Sequence, residues 1–233
     1  MTPSGAAAGQ VRRVRQSGVG VILPEDWWTI PLADDDARRR AVTGLVNHQF
    51  GRADANPGLK RQVRDELMSR ADRAAEAGGW VMAIMLTQAG PMPLPATLTA
   101  YRAAGSFADA DGLRKVQEPL TASVQAGGRL DAGEGPFGVV LRAVRERPGP
   151  VELGGSGVPV LVCDYWSDPA DGQGLACLSF STPMVALRDV FIDLFDAVAG
   201  TLYLLDDDAS DNDPVDASSE GIPPDPTSTA EAP

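Results

Sequence analysis

Residues 178–205 read LSFSTPMVALRDVFIDLFDAVAGTLYLL, and this stretch decides the fold. Within it Leu187, Val190, Phe191, Leu194, Phe195 and Val198 recur at the spacing of one helical face. The pattern predicts an amphipathic helix that begins at Thr182-Pro183 and is capped by Gly200, followed by a last short strand over 201–205. A fully buried side chain of these types contributes about 1.5–3 kcal/mol before entropy is charged. Six of them make this helix a mainstay of the core. The expectation is that residues 184–199 are sealed against β-structure and leave no reactive cleft.

Outward from that helix, the preceding chain reads as β-structure. Runs at 137–144, 158–166 and 175–181 are apolar and β-branched. Pro148-Gly149-Pro150 and the stretch 168–174 supply the turns between them, which predicts an antiparallel meander. The early part alternates element types. A strand ends at Pro24, and Trp27-Trp28-Thr29-Ile30-Pro31-Leu32 forms a second extended piece. Asp34-Asp35-Asp36 then opens a helix whose stripe is Ala37, Ala41, Val42, Leu45, Val46 and Phe50, closed by Gly51. Asn56-Pro57 opens another, with Leu59, Val63, Leu67, Ala71 and Ala74 as its stripe and Gly78-Gly79 as its stop. The apolar run 80–86 predicts a central strand buried on both faces. Residues 96–103 predict the next strand, and 111–125 a helix broken or kinked at Pro119. The fold class expected is α+β: a largely antiparallel sheet flanked by helices, an α/β/α sandwich. Its expected organisation is a flexible N-terminus over 1–15, one domain over 16–205, and a disordered acidic tail over 206–233.

The tail rests on composition. The chain carries 32 acidic and 20 basic residues, a formal charge of −12. Nine of the acids and none of the bases lie in 206–233, which leaves the body only about −3. A segment of Asp, Ser, Pro and Ala cannot offset its ordering entropy. A net-negative body with such a tail argues against nucleic acid as a partner, because phosphate binding needs clustered Lys and Arg. Arg12, Arg13 and Arg15 read as a solvated segment. No run is long and apolar enough to predict a membrane span, and the first residues do not form a signal peptide, so a cytoplasmic protein is expected.

The motifs of common chemistries fail on context. Gly133-Glu134-Gly135-Pro136-Phe137-Gly138 matches G-x-G-x-x-G, but a strand follows where a helix must, and Pro136 removes an amide donor. It reads as a simple turn. Gly154-Gly155-Ser156-Gly157-Val158 lacks the second glycine of a nucleophile elbow. His48, the one histidine, has no paired nucleophile. Asp206-Asp207-Asp208 and Asp211-Asn212-Asp213 lack the calcium-loop spacing. Cys163 and Cys177 lie in neighbouring predicted strands, where a disulfide is geometrically open but two buried thiols fit a reducing compartment better. No catalytic residue, cofactor or metal is assigned. The candidate contact residues are aromatic: Trp27, Trp28, Tyr165 and Trp166. Adjacent strand residues face opposite sides, so one member of each pair faces outward as a protein anchor unless helices cover both faces of the sheet and bury all four.

Two segments carry a resemblance, VILPEDWWTIPL near the start and LSFSTPMVALRDVFIDLFDAVAGTLYLL near the end. Together with the meander they resemble the PsbP-like α/β/α sandwich, which includes the yeast Ran-binding import factor and mycobacterial LpqN-type lipoproteins. The Ala/Arg/Asp-rich style, the WW opening and the acidic tail are also similar to actinobacterial proteins associated with type VII secretion. The chain departs from the lipoproteins in having no cysteine near its start, so surface anchoring does not carry over. Its helical segment 34–77 is larger than the minimal fold needs. The resemblance implies a binding or assembly protein with no shared catalytic centre. The function expected is a non-enzymatic protein-binding accessory whose partner is a secretion component or substrate. The alternatives are a small-molecule or lipid carrier with a pocket between sheet and helices, or a hydrolase or transferase using Cys163/Cys177 or a carboxylate pair.

Overall fold

A computed structural model describes residues 11–16, 18–51, 56–124, 128–149 and 157–205. The calcium-like acids, the expected disordered tail, residues 1–10 of the expected flexible N-terminus and the elbow-like Gly154-Gly155-Ser156 lie outside these residues. In chain order the elements are β1 (Val11–Gln16), β2 (Val19–Pro24), β3 (Trp27–Pro31), α1 (Asp35–Phe50), α2 (Pro57–Glu76), β4 (Gly79–Met85), β5 (Gln88–Ala89), β6 (Met92–Pro93) and β7 (Thr97–Ala103). They continue with α3 (Ala110–Ser123), β8 (Arg129–Gly135), β9 (Gly138–Pro148), β10 (Pro159–Ser167), β11 (Leu175–Thr182), a 3₁₀ turn (Val185–Leu187), α4 (Arg188–Ala199) and β12 (Tyr203–Leu204).

The centre is a seven-stranded sheet in the order β3-β4-β7-β11-β10-β9-β8, and every neighbouring pair in it is antiparallel. The meander β8-β9-β10-β11 supplies one side. Strand alternation sends Val81, Ala83, Leu98, Ala100, Leu161, Cys163, Leu178 and Phe180 to one face, where they pack with Phe191, Phe195 and Val198 of α4. Beside α4 on that face lies a second sheet of order β1-β2-β12, whose Val19, Val21 and Leu23 are fully buried. The opposite face at β3 and β4 presents Ile30 and Met82 to Val42 and Leu45 of α1 and Ala71 and Ala74 of α2. Helices therefore lie on both faces of an antiparallel sheet, and the α+β sandwich is the observed architecture.

Local chemistry explains the helix starts. The Asp34 carboxylate accepts from the Ala37 amide at 2.7 Å, and Asn56 caps α2 with Pro57 in its first turn. Arg38, although charged, is buried. It ties three pieces together, donating to the Leu32 carbonyl at 2.5 Å, to Asp72 of α2 at 2.9 Å and to Asp35 at 2.6 Å.

Four local expectations change. The closing helix, expected to begin at Thr182-Pro183, starts at Arg188, and Leu187 of its stripe sits in the preceding 3₁₀ turn. Residues 11–15, expected to be flexible, belong to β1, which pairs along its whole length with β2 across Gly18. Its arginines hid a strand: Val14 packs on the core and Arg12 bonds the Thr29 hydroxyl at 3.2 Å. Strand β8 was not expected, because RLDAGEG has almost no apolar content. It exists as the edge partner of β9, and the G-x-G-x-x-G segment is the hairpin between them. Pro119 does not break α3. None of that helix's residues is buried, so the hydrogen bond that proline removes is lost on a helix open to solvent.

Gly174 has φ of +87°, and a Cβ there would fall on the Ala103 carbonyl oxygen. Backbone cannot yield as a side-chain tip can. Gly174→Ala should lower stability by about 2 kcal/mol or more, read as a drop in the urea midpoint.

Candidate functional site

Of the four aromatic candidates, two are buried and two half-buried. Trp27 and Tyr165 are buried on the α4 face, where each meets the Phe180 ring edge-on. Trp28 is half-buried under α1: its indole N–H donates to the Ala41 carbonyl at 3.0 Å and its ring stacks on His48. Trp166 is half-buried on the opposite face from Tyr165. Adjacent members of each pair do face opposite sides of the sheet, and the member away from α4, Trp28 or Trp166, is half-buried. None of the four offers an exposed anchor.

Cys163 and Cys177 are both free and buried. Cys163 pairs in register with Phe180, three residues from Cys177, so the two thiols occupy opposite faces of the sheet. That geometry excludes a bridge between them. Burial pushes the Cys163 thiol up to about 12 and Cys177 well above its ordinary value. Both should resist thiol reagents at pH 8 in the folded protein and react at once in denaturant; rapid native labelling of either would contradict the packing. Stability from the neutral thiols is complete below the unfolded pKa near 9.0. It is lost as pH rises towards the folded value, because the unfolded chain ionises first.

One cluster of titratable groups was not anticipated. At the C-terminal end of α4 a hollow of about 380 Å³ is lined by Arg129, Asp131, Arg142, Tyr165, Asp196 and the β8–β9 hairpin. The expectation that polar groups would not converge beside this helix is thereby corrected. Arg142 is the hub, donating to Asp196 at 2.5 Å and to Asp131 at 3.1 Å, while Arg129 reaches Asp131 at 2.5 Å. The Tyr165 hydroxyl donates to the other Asp196 oxygen at 2.7 Å. Burial first, and then Asp196, raise the Tyr165 phenol. Burial alone would lower the Arg142 guanidinium, but the two carboxylates outweigh it and raise it. Burial would lift Asp131, but Arg129 and Arg142 hold it below the usual carboxylate range. The phenol stays protonated and the arginine stays charged at neutral pH, so the cluster ties α4 to β8–β10. Alternation in 140–144 was the available signal, since it sets Arg142 between inward Val140 and Val144.

A second hollow has the opposite character. It measures about 220 Å³ and lies where the 3₁₀ turn and α4 meet the ends of β3 and β4. Trp27, Met85, Leu94, Leu187, Phe191 and Leu194 contribute to an almost wholly apolar lining. At its side stands Val190, 65% exposed although it belongs to the stripe expected to be buried. Leu187 and Leu194 are only partly buried. The apolar face of α4 is thus wider than the sheet it covers.

Among the described residues no cluster of His, Cys, Asp or Glu could hold a metal, and no helix is long and apolar enough to cross a membrane.

No family model matches the chain, and no curated protein matches it. The chain is similar to a solved structure, the solution structure of cyanobacterial PsbP (CyanoP) from Synechocystis sp. PCC 6803. The two are 11% identical, with a TM-score of 0.43, over 88% of this chain and 98% of that one. The architecture given above stands on strand order and register.

Proposed function

We propose that this chain is a non-enzymatic binding domain that docks another protein on the outer apolar edge of α4. The carrying observation is Val190, a large apolar side chain left 65% exposed beside an apolar hollow on a helix whose other large apolar residues are buried or partly buried. Contiguous exposed apolar surface with a polar rim marks interaction sites, and Val190 continues the apolar lining of the hollow to the surface. The aromatic anchors expected from sequence give way in this reading to Val190, Leu187 and Leu194. The polar cluster supports binding over catalysis because its charges are spent on one another, and the two thiols support it by being buried and held neutral.

The finer proposal follows the sequence resemblance: a cytoplasmic accessory of a type VII secretion apparatus whose partner is a component or substrate of that apparatus. Affinity capture from the native host with the full chain tests it. A stable protein partner retained by wild type and lost with Val190→Asp is expected, and no partner recovered at all would overturn it. The carrier reading is favoured by the apolar lining of the smaller hollow, and native mass spectrometry of freshly purified protein would show a co-purifying lipid if it held.

A further inference from the structure

We infer that the partner segment which fills this hollow is a basic amphipathic helix, an apolar anchor flanked by Lys or Arg. The inference rests on the docking reading and adds the chemistry of the occupant. The hollow takes apolar groups, but its surroundings are acidic on both sides. Asp26 lines it and is exposed, with exposed Glu25 next to it in the turn between β2 and β3. On α4, Asp193 follows Val190 by three residues on the exposed side, and Asp189, whose side chain is almost fully exposed, precedes it. The nearest cation on that helix, Arg188, lies 3.1 Å from Glu146 and 3.9 Å from Asp189, so it offsets one of these negative charges and leaves the surroundings net acidic. An apolar pit with one carboxylate in its lining and others nearby on the flanking turn and helix repels an acidic segment and attracts a cationic one. A helix is the partner element that presents apolar residues in a row with charges beside them.

Charge and apolar contact can be separated here by one substitution. Val190→Asp adds a negative charge while removing the anchor. Attraction by charge alone would hold a cationic helix at least as tightly, whereas docking in the hollow would weaken it. The probes are two designed helical peptides, one of leucine and lysine and one of leucine and glutamate, titrated against the full chain by fluorescence anisotropy. The expected result is that the lysine peptide binds wild type at least ten-fold more tightly than Val190→Asp, with Val190→Ser intermediate and all three proteins melting alike. The glutamate peptide should bind at least ten-fold more weakly than the lysine peptide. If both peptides bound equally and both depended on Val190, the basic occupant would be overturned while the docking site stood. If neither depended on Val190, the site itself would fall.

Discussion

Phe195→Ala should cost about 3–5 kcal/mol and come close to unfolding the protein at room temperature. Phe195 is fully buried at the point where three layers meet. Its ring stacks on Phe180 of β11 at 4.5 Å between centroids and touches Phe191 one helical turn earlier. Phe180 in turn meets Trp27 and Tyr165 edge-on, so one ring on α4 holds together aromatic groups from three strands. Removing it leaves a cavity lined by rigid rings that cannot collapse into the space. Urea denaturation followed by tryptophan emission reads the loss directly. Val190→Ala, eight residues from the C-terminal Val198 of the same predicted stripe, should change the midpoint very little, because Val190 is 65% exposed. The contrast separates the part of the helix that builds the fold from the part left for a partner.

Asp164→Ala should cost about 3 kcal/mol, although no apolar contact is lost. Asp164 is buried on the sheet face opposite α4, where it accepts from the Arg145 guanidinium and from the Ser179 hydroxyl, each at 2.6 Å. Truncation leaves Arg145 charged with its partner gone, and Arg145 is itself mostly buried. Asp164→Asn retains an acceptor for Ser179 and should recover part of the loss. Equal denaturation midpoints for wild type and Asp164→Ala would show that water replaces the carboxylate without penalty.

Both effects arise from elements that differ in how openly the sequence declares them. The closing helix, the meander β9-β10-β11 and the capped starts of α1 and α2 were legible because each carries a strong period and a strong stop. Phe191, Phe195 and Val198 are where the stripe put them. Val190 is not, because periodicity says which residues share a face but not how wide a neighbour covers it. β1 and β8 were not legible: each is a charged or glycine-rich strand whose partner, β2 or β9, supplies the apolar half of the pattern. The Arg142 cluster escaped because its members come from β8, β9, β10 and α4, and no local window contains them. Even so, an arginine in an inward strand position asks for a carboxylate, and Asp131 and Asp196 answer it. The same question put to Asp164 leads to Arg145.

The central claim is that the exposed edge of α4 meets another protein. A photoreactive benzophenone side chain placed at position 190 of the full chain, in the native host, tests it most directly. A control at Glu76 puts the same group on exposed α2, on the other side of the sheet. The account predicts a discrete covalent adduct with a second protein from position 190 and none from position 76. Illumination that leaves the position-190 chain uncoupled, or gives the same adducts from both positions, would contradict it.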